Sequence, residues 1–469
     1  MSAIKESSLG AEFQAICEQF DLPEASTRFV EVVGEENPLG SPLRVTDAGV
    51  LTLAVQAAAA AALDAEAGRS PQAARIHREE IPASLRPFTY QTRNGESSGA
   101  WSAQIGAAPC SGHMQAADGR YVYMANVAPR LRDGTLRLLG AEPTRESVEA
   151  AVLGWESFAL EEAMNQSGLP LTVVRSAEEW AASEQGAVMQ FQPLAQVVSM
   201  SETAPEQLPT GARALAGVRV LDLTHVVAGP TVTRGLAEYG ADILHIGAHQ
   251  ADLQDPVAVT DELMIGKRSA RLDMGTESGR AEAERLVREA DVVVHSWRPG
   301  VMERWGLGAH RLEELRPGII SLGISCFGPS GPWATRPGFD GNALAAVGVT
   351  DAEAQAGTMR LTPPGVVTDS LVGFAGAAAV MGMLRARARS GGGRAGHLSL
   401  AGMAMWLLEL GLRDLEPAVP PVPPRMRRAT AEDGVLLSFV EFPIEYAQRP
   451  ARLTVGHPVL GGSAATWRG

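Results

Sequence analysis

The chain has 469 residues, 45% hydrophobic and 20% charged, the composition of a globular protein long enough for two or three domains and a well-buried core. Its net charge of −14 argues against a nucleic-acid partner, because phosphates would be repelled, yet it allows a small anion in a local basic pocket. Cys17, Cys110 and Cys326 lie far apart without metal-ligand spacing and read as reduced thiols of a cytoplasmic protein.

The opening MSAIKESSLGAEF lacks an apolar core behind a basic start, so no secretory signal is expected. A Gly/Pro break at ENPLGSP is followed by a long helix near Asp47–Ala67. Its alanine-rich run Leu51–Leu63 is too short to span a bilayer, so it reads as a buried helix and no membrane partner is expected. Residues 85–118 are rich in Ser, Gly, Thr and Gln and read as an irregular connection. Asp118–Pro129 alternates as a half-buried strand does. Thr144–Gly168 carries a cap, a helical period and a glycine stop, which predicts one helix. LPLTVVRS is a short strand and SAEEWAASEQG a capped helix. Pro, Gly and polar residues cluster at Ser201–Ala214, the best domain boundary.

Beyond it the pattern becomes α/β. Strands are predicted at Val218–Thr224, ADILHI, Asp291–Trp297 and Ile319–Gly328. Helices fall at Ala228–Gly240, SGRAEAERLVREA and HRLEELRPG. The alternation implies an open, parallel Rossmann-like sheet with helices on both faces, plus a smaller α+β domain. Ligands of such sheets bind at the carboxyl ends of the strands. Two stretches resemble each other: RVTDAGVLTLAVQAAAAAALDAEAGRS from Arg44 and VVTDSLVGFAGAAAVMGMLRARARSGG from Val366. Each reads Val-Thr-Asp and then a small-residue helix, with Asp47 and Asp369 in matching places. The sequence shows no phosphate-cradling glycine loop, no metal cluster and no serine-nucleophile signature.

From Leu215 the chain carries, in order, LAGVRVLDLTHVVAGP, GADILHI, GKRSARLDM, ADVVVHSWRPGVMERWGL, RPGIISLGISCFGPSGPWATRPGFD and VVTDSLVGFAGAAAVMGML. This succession resembles the class III CoA-transferases, the CaiB/BaiF family, over about Leu215–Leu400. The family includes formyl-CoA and carnitine CoA-transferases and alpha-methylacyl-CoA racemases. The resemblance implies CoA transfer between an acyl-CoA and a small carboxylic acid, with CoA as substrate and no permanently bound cofactor.

It also implies site residues. Asp369 matches the aspartate that attacks the thioester, and the N-terminus of its helix favours the anion. Without the resemblance Asp369 reads as an ordinary N-cap. His225 and Asp340 match positions that orient or bind the acid. Lys267, Arg268, Arg298 and Arg304 match stretches lining the CoA site, where cations suit its phosphates. Leu272, Asp273 and Met274 match the segment that contacts adenine and ribose, and Trp297 is placed to pack on adenine. The chain departs from the pattern at Val227, where a formyl-CoA-transferase-like member has glutamine, and at Gly247, where Val-Glu is frequent. Phe339 stands where racemases have a histidine, and phenylalanine transfers no proton. A transferase is therefore expected over the alternatives, an acyl-CoA racemase or isomerase and a non-catalytic CoA-ester binder.

The order of parts departs from the family. Residues 1–210 would hold a nucleophile-helix-like element with Asp47 as relic or cap, a small domain and, at Gly168–Val197, a segment resembling the family's late region. Residues 215–415 would form the CoA-binding domain with the nucleophile, and 416–469 a tail on that large domain, including the family-like VEFPIEYAQRPARLTVGHPVLGG. Such a permuted or fused chain is expected to form a homodimer or a pseudo-dimer within one chain.

Overall fold

The computed structural model describes residues 4, 8–36, 38–97, 108–126, 128–248, 261, 264–357, 359–420, 422–431, 434–446 and 460–468. The middle of the family-like final segment, 447–459, lies outside the described residues, as do 98–107 of the serine- and glycine-rich connection.

The α/β pattern after Leu215 folds as expected. Six parallel strands lie in the order Arg268–Leu272, Asp242–Ala248, Arg219–Leu223, Val292–His295, Ile320–Ser325 and Arg394–Ser399. Numbered along the chain, the order is third, second, first, fourth, fifth, sixth, so connections leave the sheet in opposite directions on either side of Arg219–Leu223 and Val292–His295. The carboxyl ends of those two strands bound a crevice, the usual ligand position in such a sheet. Gln196–Ser199, from before the domain boundary, adds an antiparallel edge strand. The sequence pattern missed three of the seven strands. RSARL and RAGHLS are short and polar or glycine-bearing, and an edge strand needs only one apolar face.

The predicted helix at Thr144–Gly168 is in fact two, Arg145–Val152 and Ser157–Gln166. The chain turns at Leu153–Trp155, around Gly154, and Glu156 begins the second helix in an extended conformation. SAEEWAASEQG likewise gives two short helices, each capped by a serine, Ser176 and Ser183.

The two Val-Thr-Asp helices, Val45–Glu66 and Val367–Ser390, pack against each other. Both are apolar all round, as a helix enclosed by protein should be. By length and composition either is long enough to cross a membrane, contrary to the shorter reading of Leu51–Leu63, but both lie 94% buried in the protein. Small residues make the packing close. A Cβ at Gly373 would fall 2.4 Å from Cβ of Thr231, and one at Gly376 2.6 Å from Cγ2 of Val232, so the helix Ala228–Glu238 rests directly on these glycines.

The C-terminal segment does not simply pack on the large sheet. Ile444–Tyr446 pairs with Ala74–His77, and Leu436–Val440 pairs with Thr92–Arg93, so the tail joins N-terminal strands. Residues 460–468 return to the large sheet, where Ser463 N–H donates to the Ser269 carbonyl and Trp467 Nε1 to that of Leu286.

Candidate active site

Asp369 sits in the first turn of Val367–Ser390 and Asp340 at the start of Asp340–Val347. One oxygen of Asp340 caps the other helix. Its Oδ1 accepts the Thr368 N–H at 2.7 Å, the Asp369 N–H at 3.2 Å and the Thr368 hydroxyl. Its Oδ2 is buried and has no hydrogen-bond partner among the described residues. The backbone N–H of Ala228, the first residue of the helix after Arg219–Leu223, lies close enough to Asp369 to favour its charged form. Two carboxyls thus meet at two helix N-termini, 3% and 7% exposed.

Burial pushes the Asp369 carboxyl well above its ordinary range, and the neighbouring Asp340 charge pushes it further; the Ala228 N–H only partly opposes them. Burial also raises Asp340, against its hydrogen bonds to Thr368 and Asp369. The pair therefore sheds its protons in two steps, with the first charge favoured on Asp340, where helix N–H groups receive it. Burial, then both carboxyls, push the nearby Cys326 thiol up, so it stays uncharged.

His225 follows strand Arg219–Leu223, and Ser296 and Trp297 follow Val292–His295, on the two sides of the crevice. The His225 N–H donates to Ser296 Oγ at 2.9 Å and its Nδ1 lies 3.0 Å from the same oxygen. Its ring is 4.5 Å from Trp297, which meets Trp305 edge-on at 4.9 Å. Burial, with His245 nearby, lowers His225 to about 4, so it works as a neutral hydrogen-bonding group. Backbone strain accompanies these contacts. Val226, just after His225, and Val366, just before the Asp369 helix, have φ of 62° and 51°. A β-branched residue in that region costs roughly 1–3 kcal/mol and is held only by its surroundings.

Arg298 follows Trp297 directly in sequence, and Arg304 and, from the N-terminal half, Arg130 lie near Arg298 in space. Burial first, then these two positive neighbours, lower the Arg298 pKa. Arg298 donates to the Thr335 carbonyl, and none of the three arginines has a carboxylate partner among the described residues. Most arginines of this acidic chain are ion-paired, so an unneutralised trio beside a tryptophan is a place for anions. Leu272 and Met274 pack with Trp297 and Trp305 at the edge of one apolar cluster, and the Asp273 side chain accepts the Gly275 N–H.

Lys267 and Arg268 are not brought to this surface. Lys267 is 0% exposed, and its Nζ donates to Asp222 at 3.1 Å, Thr233 Oγ1 at 2.7 Å and the Pro230 carbonyl at 2.9 Å. Arg268 makes two bonds to Asp242, at 3.0 and 2.9 Å, and also donates to the Thr466 carbonyl. Their cations are consumed inside the fold, which corrects the expectation that they face CoA phosphates. Burial alone would raise Asp222; the Lys267 and His245 charges and the Thr224 and Thr233 hydroxyls hold it low. This buried network ties Thr224, at the head of the His225 loop, to the helix that offers Ala228.

Asp47 takes the place of Asp369 on the matching helix but not its surroundings. Arg44 Nε lies 2.7 Å from its carboxylate, Arg78 binds the other oxygen, and Arg78 also pairs with Glu36. Arg130 and Tyr123, which come to the site from the N-terminal half, were not found from the sequence, because nothing local connects them with residues two hundred positions away.

The sequence matches CoA-transferase family III. That family's sequence signature matches residues 215–461, more than half of the chain, and the chain belongs to the family. It is 34% identical over 264 residues to an acetyl-coenzyme A transferase, nodX, of Hypoxylon pulicicidum, covering 53% of this chain and 44% of that protein. It is 34% identical over 194 residues to the beta subunit of succinyl-CoA–L-malate CoA-transferase of Chloroflexus aurantiacus, covering 38% and 47%. Among solved structures, a CAIB/BAIF family protein from Brucella suis matches with a TM-score of 0.40 and 26% identity, covering 47% of this chain and 64% of that one. The chain spans about half the length of the curated relatives it matches.

Proposed function

We propose that this protein moves CoA from an acyl-CoA thioester to a small carboxylic acid, with Asp369 as covalent nucleophile. The observation that carries the reading is Asp369 itself, in a helix's first turn, against Asp340 and near the Ala228 N–H, beside the crevice that holds His225 and Trp297. Asp369 attacks the thioester carbonyl and CoA thiolate leaves, giving a mixed anhydride. The thiolate then attacks the aspartyl carbonyl, releasing the donor acid and leaving an aspartyl-CoA thioester. The acceptor carboxylate attacks that thioester, forming a second anhydride, and the returning thiolate takes its acyl group and frees Asp369. The sequence needs no resident cofactor.

Attack requires Asp369 without its proton, and Asp340 is placed to influence that step. Rate should therefore rise with pH along a limb displaced upward from the ordinary carboxylate range. Asp340→Asn keeps an oxygen for the Thr368 N–H but removes the like charge. The limb should move to lower pH, read from kcat across pH; an unmoved limb would show that Asp340 does not set the ionisation of Asp369.

Trp297 and the Arg130, Arg298 and Arg304 trio are proposed to hold the adenine and phosphates of CoA, with Leu272, Asp273 and Met274 beside them. Removing one arginine to alanine should raise KM for acyl-CoA about tenfold, equivalent to roughly 1.4 kcal/mol for a charge-assisted contact. The effect should shrink as salt is added, while KM for the acid stays unchanged.

The whole reading is tested by screening acyl-CoA donors against small carboxylic acids, with products read by mass spectrometry. New acyl-CoA in proportion to acid consumed supports transfer. Deuterium entering an alpha carbon without any acid would instead show isomerisation, against which Phe339 stands. CoA binding without turnover on any pair would leave a binding protein.

The N-terminal half is proposed to complete the site within one chain, as a pseudo-dimer, since Arg130 and Tyr123 reach it from there. Activity per chain should then be constant on dilution to concentrations where light scattering shows only monomer.

A further inference from the structure

Tyr123 lies on strand Tyr121–Ala125 of the N-terminal half, 5% exposed. Its ring covers Gly341, next to Asp340. A Cβ at Gly341 would fall 2.3 Å from the ring and 2.6 Å from the Tyr123 hydroxyl, so only glycine admits the ring there. The strand is anchored to the same helix, because Asn342 Nδ2 donates to the Tyr123 carbonyl at 3.4 Å and to Thr172 Oγ1 at 3.2 Å. His113 supports the ring from behind, centroids 4.9 Å apart. The hydroxyl makes no hydrogen bond among the described residues.

A strand paired on both sides and bonded to Asn342, a ring seated on a glycine and an unspent hydroxyl beside two carboxyls form an arrangement that packing alone does not need. Burial raises the Tyr123 pKa, and the Asp340 and Asp369 charges raise it further, so the hydroxyl keeps its proton. An incoming carboxylate meets a site already rich in negative charge. A neutral donor that cannot ionise attracts that carboxylate without adding to the charge.

The geometry points to Tyr123 as a positioning residue that donates its hydroxyl to the carboxylate of the acceptor acid, holding it for attack on the aspartyl thioester. The assignment rests on the transferase reading above. It divides the reacting centre: Asp369 of the later half meets the thioester carbonyl, and Tyr123 of the N-terminal half holds the incoming acid.

The test separates the two half-reactions. Acyl-CoA alone labels Asp369, trapped with hydroxylamine; adding acid completes transfer. Succinyl-CoA with L-malate and acetyl-CoA with labelled acetate serve as probes. Tyr123→Phe keeps the ring on Gly341 and removes only the hydroxyl. KM for the acid should rise about tenfold, while labelling by acyl-CoA and the melting temperature stay within twofold and within a degree or so of the parent. Gly341→Ala, which drives the ring aside, should raise the same KM. An unchanged KM for acid in Tyr123→Phe, or equal loss of both half-reactions, overturns the assignment and leaves CoA transfer standing. A parent protein that transfers CoA from no donor in the screen described above overturns the transferase reading, and this assignment with it.

Discussion

Asp369→Ala is expected to abolish CoA transfer, with kcat falling on the order of 10⁴-fold or more, because loss of a covalent nucleophile removes the reaction path itself. Trapping with hydroxylamine or borohydride should label Asp369 in the parent and nothing in the variant. Asp47 offers no substitute, since its carboxylate is already held by Arg44 and Arg78. Asp369→Asn should be equally inactive but more stable than the parent. The parent's Asp369 has a folded pKa above its unfolded one, so the folded state holds its proton longer and loses stability as pH rises through that interval. The stability gained by asparagine should therefore be absent at low pH and grow as pH rises above the ordinary carboxylate range. Melting curves across pH read this directly. Activity retained by Asp369→Ala would remove the anhydride path.

How far the sequence revealed this site depended on how local each signal was. The parallel sheet was legible because apolar strands such as VRVLDL and DVVVH alternate with amphipathic helices, a pattern carried within a few residues. Asp369 was legible as a helix-start residue, but its meeting with Asp340 was not, since twenty-eight intervening residues separate two helix starts that meet only in the fold. Arg268–Leu272 and Arg394–Ser399 escaped because their neighbours in the sheet, not their own residues, make them strands. The break at Gly154 escaped because the helical period runs on in register across the turn. Charge was the least legible property. GKRS and SWRPG look alike as basic stretches, yet Lys267 and Arg268 are spent on Asp222 and Asp242 while Arg298 has no carboxylate partner among the described residues. Which cation is available depends on which carboxylates the fold brings to it.

Lys267 gives that distinction a measurable consequence. Lys267→Met should destabilise the fold by about 3–5 kcal/mol, because it leaves Asp222 buried with its charge uncompensated. A domain of ordinary stability, about 5–15 kcal/mol, would lose a large part of its margin. Urea unfolding measures the loss as a lower midpoint at unchanged slope. The loss should be greatest near neutral pH and fade in acid, as Asp222, held low in the parent, takes up a proton in both proteins. Pairing it with Asp222→Asn should recover part of the loss, since the remaining amide can still bond Thr224 and Thr233 without a bare charge. Activity should fall with folded fraction, and KM for acyl-CoA should hold in the molecules that remain folded. The opposite result, a stable Lys267→Met protein with a raised KM for acyl-CoA but not for its dephospho form, would return Lys267 to the phosphates of CoA. In that event the buried network around Asp222 would no longer explain why the His225 loop and the Ala228 helix stand where Asp369 meets them.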